Sequence, residues 1–255
     1  MRVSAVFTNR IFIPKRSPDY ALATQTLWFT RVDRFVDPYE SQLPKADRKV
    51  LEKKLMFDPR WRIAEVHLAD YQGNAIGPGG AEKIEMMRTP AGIARLLRIA
   101  TFANCWQAND NENAGMWDLY GIPGETVAIT STLDRIVSAL ADEPRRLSAA
   151  KVAYIDYRSE SILDANGDLN HISLCATKRN YYSHEQEVRL FTIDASMSDA
   201  DMRGMPIRCA TDALIKGIHI DPLGTTEFVR KVAAMARKYD LPEPNESDIY
   251  TNPED

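Results

Sequence analysis

Apolar and polar residues follow two patterns along this chain, and together they predict interleaved strands and helices. Short apolar runs bounded by polar or turn-forming residues predict strands, and apolar residues that recur with helical spacing predict amphipathic helices. The predicted strands are residues 10–14, 27–29, 102–107, 126–131, 151–157, 188–193 and 217–220. The predicted helices are residues 19–26, 45–57, 91–100, 112–120, 133–140 and 225–239.

The order of these elements indicates the fold class. Strands and helices do not alternate strictly, and no glycine-rich phosphate-binding turn follows any of the predicted strands. This disfavours a doubly wound nucleotide-binding fold and predicts one α+β domain with a central, largely antiparallel sheet, whole or split, flanked by helices. The domain is predicted to span residues 1–240, with a variable excursion at 58–90 and a loosely held acidic tail at 241–255.

Polar residues at two places in the chain resemble helix-start signals. Asp37 followed by Pro38, with Glu40 three positions after Asp37, fits an N-cap, a first helical residue and a capping glutamate. Asn109 and Glu112 have the same spacing ahead of the 112–120 helix. Helix initiation therefore explains these acidic residues without a functional role.

Composition limits the function classes. The chain has 255 residues, of which 44% are hydrophobic and 27% charged, and a net charge of −4, which is typical of a globular protein and does not indicate nucleic-acid binding through bulk charge. No apolar stretch is long enough for a membrane span, and no signal peptide is apparent. The three cysteines, Cys105, Cys175 and Cys209, are odd in number and widely spaced, which predicts a cytoplasmic protein. Neither they nor the four histidines have zinc-like spacing, so no metal is expected.

The clearest chemical signal lies in residues 178–190. If this segment is a strand, Glu185, Glu187 and Arg189 lie on one face, because successive side chains of a strand point to opposite faces. Two neighbouring carboxylates raise the pKa of one of them, which suits a general base. The alternative interpretation is that these charges form ion pairs with neighbouring strands. Lys178 and Arg179, next to two tyrosines, fit either a phosphate site with a stacked base or a solvated strand edge.

Several ordered motifs resemble one bacterial family. They are Asn104-Cys105-Trp106, Glu112, 116–120, 127–132, 152–157, Lys178-Arg179 and 185–189, preceded by 27–33 and 37–40. Their order and content are similar to the family known as domain of unknown function 2971, and the likeness covers nearly the whole chain. The chain differs from that family at Gln107, where the family commonly has a histidine, and in the motif of the first strand.

A second resemblance is to ADP-ribosyltransferases. These enzymes have a basic residue on the first strand, then a Ser-Thr-Ser strand, then a Glu-x-Glu motif, and here Arg10 or Arg16, residues 130–132 and residues 185–187 follow in that order. The resemblance implies NAD as substrate, cleavage of the nicotinamide–ribose bond and transfer of ADP-ribose to a protein or nucleic-acid acceptor in a defence, toxin or stress system.

The same resemblance implies roles for individual residues. Glu187 stabilises the oxocarbenium-like transition state, and Glu185 activates the acceptor. Ser131, with Thr132 beside it, and the early arginine position the dinucleotide, while Lys178 and Arg179 are further candidates for contact with its phosphates.

Two other function classes remain open on the sequence. In a metal-dependent nuclease, Glu185 and Glu187, with Asp37 or Glu112, would hold magnesium, and Lys178 would polarise the phosphate. In a non-catalytic sensor, the same carboxylates would line a nucleotide-binding cleft.

Overall fold

The structure is a computed structural model that describes residues 2–8, 18–57, 86, 89–109, 111–194 and 202–250. The predicted strand at 10–14 and most of the 58–90 excursion lie outside the described residues, as do Arg10 and Arg16. The described part is an α+β domain built on a mostly antiparallel sheet, so the predicted fold class is confirmed.

The elements begin with a strand that the sequence analysis did not identify. The strands are β1 Arg2–Thr8, β2 Thr26–Arg31, β3 Thr101–Gln107, β4 Thr126–Thr132, β5 Ser148–Lys151, β6 Ala153–Ile155, β7 Thr177–Arg179, β8 Glu187–Ile193, β9 Gly204–Arg208, β10 Gly217–Ile220 and β11 Asn245–Glu246. The helices are α1 Pro18–Thr24, α2 Lys45–Phe57, α3 Pro90–Ala100, α4 Ala114–Tyr120, α5 Leu133–Ala139, α6 His171–Cys175, α7 Thr211–Leu214 and α8 Thr226–Lys238. Two 3-10 helices, Val32–Arg34 and Asn180–Glu185, complete the described elements.

The central sheet branches at β3. Neighbouring strands follow the order β11-β10-β4-β1-β3-β2-β9, and β8 pairs with β3 and with β5. Every pair in this sheet is antiparallel except β10 with β11. Strands β6 and β7 form a separate parallel pair beside it.

The branch leaves a gap along one edge of β3. On one side, β3 pairs with β8 over its full length, from Thr101 to Gln107. On the other side, β3 pairs with β2 only at Phe102 and Ala103, and with β1 only at Gln107. Residues 104–106 therefore have no ladder partner on that side among the described residues, and the side-chain amide Nδ2 of Asn104 donates to the Trp28 carbonyl across the gap, at 3.0 Å. The sheet is forked, and the fork forms part of the cavity described below.

Several predicted helix boundaries differ from the structure. Asp37–Glu40 does not begin a helix; the segment is a turn in which Asp37 accepts from the Tyr39 amide, because other residues hold both carboxylates. Helix α4 begins at Ala114 with Asn113 as its N-cap, so Asn109 is not the cap.

Part of the predicted acidic tail contacts the rest of the structure. Strand β11 pairs with β10, and the buried Ser247 donates a hydrogen bond of 2.5 Å to Glu112. The other described residues of the tail are exposed or half-buried.

The main core lies between the sheet and helices α1, α5, α7 and α8. Its largest buried members are Phe29, Phe102, Trp106, Ile207 and Leu214. A second cluster joins α2, α3 and α6 through Leu51, Ala94 and Leu174. In the described part of the chain, none of the helices combines the length and the apolar character that crossing a membrane requires.

The core predicts a clear contrast between two aliphatic residues. Ile207→Ala removes a side chain that is 0% exposed and should lower the free energy of unfolding by roughly 2–5 kcal/mol, since it removes buried apolar surface and leaves a cavity. Val137→Ala, at a position that is 64% exposed, should change it little. Urea denaturation of both variants would measure the difference, and equal effects would contradict this packing.

Candidate active site

A cavity of about 520 Å³ opens at the fork of the sheet. This volume lies within the range of small-molecule sites. Strands β2, β3, β7 and β8, helices α1 and α4, the 3-10 helix Asn180–Glu185 and the turn after β2 form its walls. These walls combine aromatic and charged side chains, namely Trp28, Phe35, Tyr120 and Tyr182 with Asp37, Glu40, Lys178, Glu185, Glu187 and Arg189.

Glu185 and Glu187 both reach the cavity, but not as neighbours on one strand face. Glu185 ends a 3-10 helix, and β8 begins only at Glu187. Gln186 between them has left-handed backbone angles, φ 43° and ψ 49°, which turn the chain sharply. Residues 185–187 are therefore not one continuous strand, so the alternation of faces considered for this segment does not apply to Glu185, although both carboxylates line the cavity.

Lys178 links the two carboxylates. Its Nζ lies 2.5 Å from Glu185 Oε2 and 3.6 Å from Glu187 Oε2, and it sits 4.7 Å from the centre of the Tyr182 ring. Tyr120 donates its hydroxyl to Glu185 Oε1 at 2.7 Å. Glu185 is thus fixed from two sides, by an ammonium and by a phenol.

Arg189 connects Glu187 to Glu40 and is almost completely buried. Its guanidinium binds Glu187 through two hydrogen bonds of 2.8 Å, contacts Glu40, and donates to the Cys175 carbonyl at 2.7 Å. The Phe35 ring lies 5.0 Å from the guanidinium carbon. One side chain therefore joins β8, the turn after β2 and the end of α6.

Asp37 and Glu40 line the same cavity; the sequence analysis placed Asp37 with the other carboxylates only in the nuclease alternative and gave Glu40 no role beyond helix initiation. Glu40 pairs with Arg189, and Asp37 pairs with Arg179 through an Nη2–Oδ1 contact of 2.9 Å. The Arg179 guanidinium also stacks 4.5 Å from the Tyr39 ring. The acidic pair in the turn resembled a helix start so closely that only the three-dimensional partners identify its role.

Burial sets the protonation of these groups. Burial raises the pKa of the Glu187 carboxyl to about 7, opposed by the Lys178 ammonium. Arg189 also favours the ionised form of Glu187 through its two hydrogen bonds. Burial lowers the pKa of Lys178, but Glu187 and Glu185 more than offset this, so that the pKa is raised and Lys178 stays charged.

Cys105 lines the cavity next to Glu187. Its side chain is exposed to the cavity even though protein surrounds the position on all sides. Burial and the Glu187 carboxylate raise the pKa of this thiol well above its usual range. The Cys105 thiol is therefore protonated near neutral pH, which disfavours a role as a thiolate nucleophile.

Ser131 and Thr132, predicted to contact NAD, do not line this cavity. The Ser131 side chain is completely buried and donates to the Leu214 carbonyl at 2.6 Å. Thr132 is the N-cap of α5 and accepts from the Arg135 amide. Thr130 shares a row of the sheet with Gln107, so Ser131 faces the opposite side from Gln107 and Glu187. Both hydroxyls thus have structural partners elsewhere.

The remaining candidates fall into three places. Lys178 lines the cavity, whereas Arg179 lies beside it as the partner of Asp37. Glu112 is apart from the other carboxylates and contacts His219, Trp117 and Ser247. Among the described residues, no three His, Cys, Asp or Glu side chains form a group suited to a metal ion.

Comparison of the chain with models of protein families, with curated proteins and with solved structures gave no match. The resemblances drawn from the sequence motifs therefore stay predictions, and the function rests on the geometry of the site.

The network predicts a pH-dependent cost for the loss of Arg189. Arg189→Met leaves Glu40 and Glu187 buried without their guanidinium and should lower the free energy of unfolding by roughly 3–5 kcal/mol near neutral pH. The deficit should shrink at lower pH, because protonation removes the buried charges. In the variant the folded state binds more protons than the unfolded chain, so its stability falls as pH rises.

Urea denaturation at about pH 5 and about pH 8 would measure this pH dependence. Arg158→Met is the control, since Arg158 forms an exposed ion pair with Asp156 and should matter little at either pH. A deficit of the same size at both pH values would contradict the charge-based explanation.

Proposed function

We propose that the protein cleaves the N-glycosidic bond of a nucleotide with a positively charged base, with NAD as substrate, and transfers the ADP-ribose. The observation that carries this proposal is the pair of buried carboxylates, Glu185 and Glu187, held around Lys178 at the wall of a cavity of small-molecule size. The resemblance of residues 185–187 to the Glu-x-Glu motif of ADP-ribosyltransferases supports it as well.

Glu187 is the group proposed to act on the glycosidic bond. When the C1′–N bond breaks, its electron pair passes to the pyridinium nitrogen, and nicotinamide leaves as a neutral molecule. The ribose then carries an oxocarbenium-like positive charge, which a nearby carboxylate stabilises. Arg189 holds Glu187 in one orientation, so little reorganisation is needed as this charge develops.

Glu185 is the group proposed to activate the acceptor. The acceptor oxygen forms the new bond to C1′ and loses its proton to Glu185. Tyr120 and Lys178 fix both oxygens of this carboxylate and thus set its direction. Water in place of the acceptor would give free ADP-ribose. The proposal does not use Ser131 or Thr132.

The first test is nicotinamide release from NAD, measured by chromatography. Glu187→Gln should reduce the rate roughly 100- to 1,000-fold, the usual effect of removing one well-placed electrostatic group. Glu52→Gln, an exposed glutamate on α2, is the matched control and should leave the rate unchanged. Circular dichroism would verify that both variants fold.

Two results would decide against this function. Undiminished release by the Glu187 variant removes this residue from the mechanism. Calorimetric binding of NAD without any release by the unaltered protein would instead indicate a nucleotide-binding module.

The pH dependence of cleavage is a second prediction. Only ionised Glu187 stabilises a cation, and burial raises its pKa to about 7, so kcat/KM should rise with pH through this value. A profile measured from about pH 5.5 to about pH 8.5 would display the rise. A flat or falling profile would show that the ionised form is not required.

A further inference from the structure

Gln107 carries a buried hydrogen-bond donor that has no partner among the described residues. The residue ends β3 at the fork, lines the cavity and is 5% exposed. Its Nε2 makes no hydrogen bond to any residue that the structure describes. Leaving a buried donor unsatisfied is costly, and such groups are rare in folded proteins. At a cavity wall, this donor indicates a ligand that brings a hydrogen-bond acceptor.

The charged residues around the cavity do not balance. Asp37 and Arg179 form one pair. The remaining group consists of the three carboxylates of Glu40, Glu185 and Glu187 and the two cations of Lys178 and Arg189. Among the described residues of this network, one negative charge is therefore in excess when all are ionised. Lys178 and Arg189 are both engaged with carboxylates, so a ligand anion would meet like charges.

Aromatic side chains also line the cavity. Tyr120 stands beside Glu185, to which its hydroxyl is bound. The Trp28 ring is held against β9, where a Cβ in place of the Gly204 hydrogen would come within 2.8 Å of it. Aromatic faces close to carboxylates attract cations, and flat rings stack well on them.

We propose that the cavity selects a singly positive aromatic ring that carries a hydrogen-bond acceptor, and that Gln107 donates to that acceptor. This inference deepens the proposed function, since it specifies which part of the substrate enters the cavity, and it rests on that same site. Gln107 is a specificity residue, and the excess carboxylate charge supplies the preference for a cation. The phosphates of a dinucleotide remain outside these carboxylate-lined walls.

Four small pyridine compounds test the proposal by isothermal titration with the unaltered protein. 1-Methylnicotinamide has both the positive charge and the acceptor and should bind best. Nicotinamide lacks the positive charge, and 1-methylnicotinate carries a carboxylate in place of the carboxamide. Both compounds should bind roughly tenfold more weakly than 1-methylnicotinamide, or worse. 1-Methylpyridinium keeps the charge but lacks the acceptor, and should bind roughly 3- to 10-fold more weakly.

Two variants assign the contributions to residues. Gln107→Met keeps the size of the side chain but removes the donor, so it should weaken 1-methylnicotinamide roughly 3- to 10-fold and leave 1-methylpyridinium unchanged. Glu40→Gln removes the excess charge, keeps an oxygen that can accept from Arg189, and should abolish the preference for 1-methylnicotinamide over nicotinamide. The unchanged binding of 1-methylpyridinium by the Gln107 variant serves as the control for folding.

The outcomes separate this inference from the proposed function, because none of these compounds has a glycosidic bond to ribose. Equal binding of charged and neutral rings, equal binding of 1-methylnicotinate, or no binding of any ring would overturn the inference. NAD cleavage alongside such a result would leave the proposed function intact. Selective binding of 1-methylnicotinamide without NAD cleavage would support the inference and reject the enzyme.

Discussion

The contact of Arg189 with Glu187 and Glu40 is the interaction on which the site depends. It connects β8, the turn after β2 and the end of α6, three segments that are separate in the sequence. A buried guanidinium loses its hydrogen bonds to water, and only well-placed acceptors in the protein replace them. The three segments must therefore keep their positions for the charge to stay buried. The same requirement holds Glu187 in a fixed orientation at the cavity wall.

The site buries more carboxylates than cations, and burying unbalanced charge lowers the stability of the fold. A fully balanced network would be cheaper to bury, yet three carboxylates share two cations here. Burial raises the pKa of Glu187 to about 7, so this carboxyl changes its protonation in the physiological pH range. Such arrangements are frequent at functional sites, where stability is given up for chemistry.

The sequence predicted features that depend on neighbours in the chain. The helices α2, α3 and α8 followed from patterns a few residues long, and the α+β class followed from the order of the predicted elements. One short segment also supplied Glu185, Glu187 and Lys178, which line the cavity. The roles of Asp37 and Glu40 did not, because their partners lie 142 and 149 residues away in the chain. A local signal for helix initiation was present in both and gave the wrong structure. Ser131 was misplaced for a related reason, since one step along β4 changes the face of the sheet.

The fork at β3 affects which parts of the cavity wall can change during evolution. Among the described residues, 104–106 have no strand partner on the side away from β8, and all three line the cavity. The pairing of β3 with β8 sets the course of this part of the backbone, whatever the side chains are. Related proteins with this fork could therefore replace the surrounding side chains to bind new ligands and keep the same backbone at this wall of the cavity.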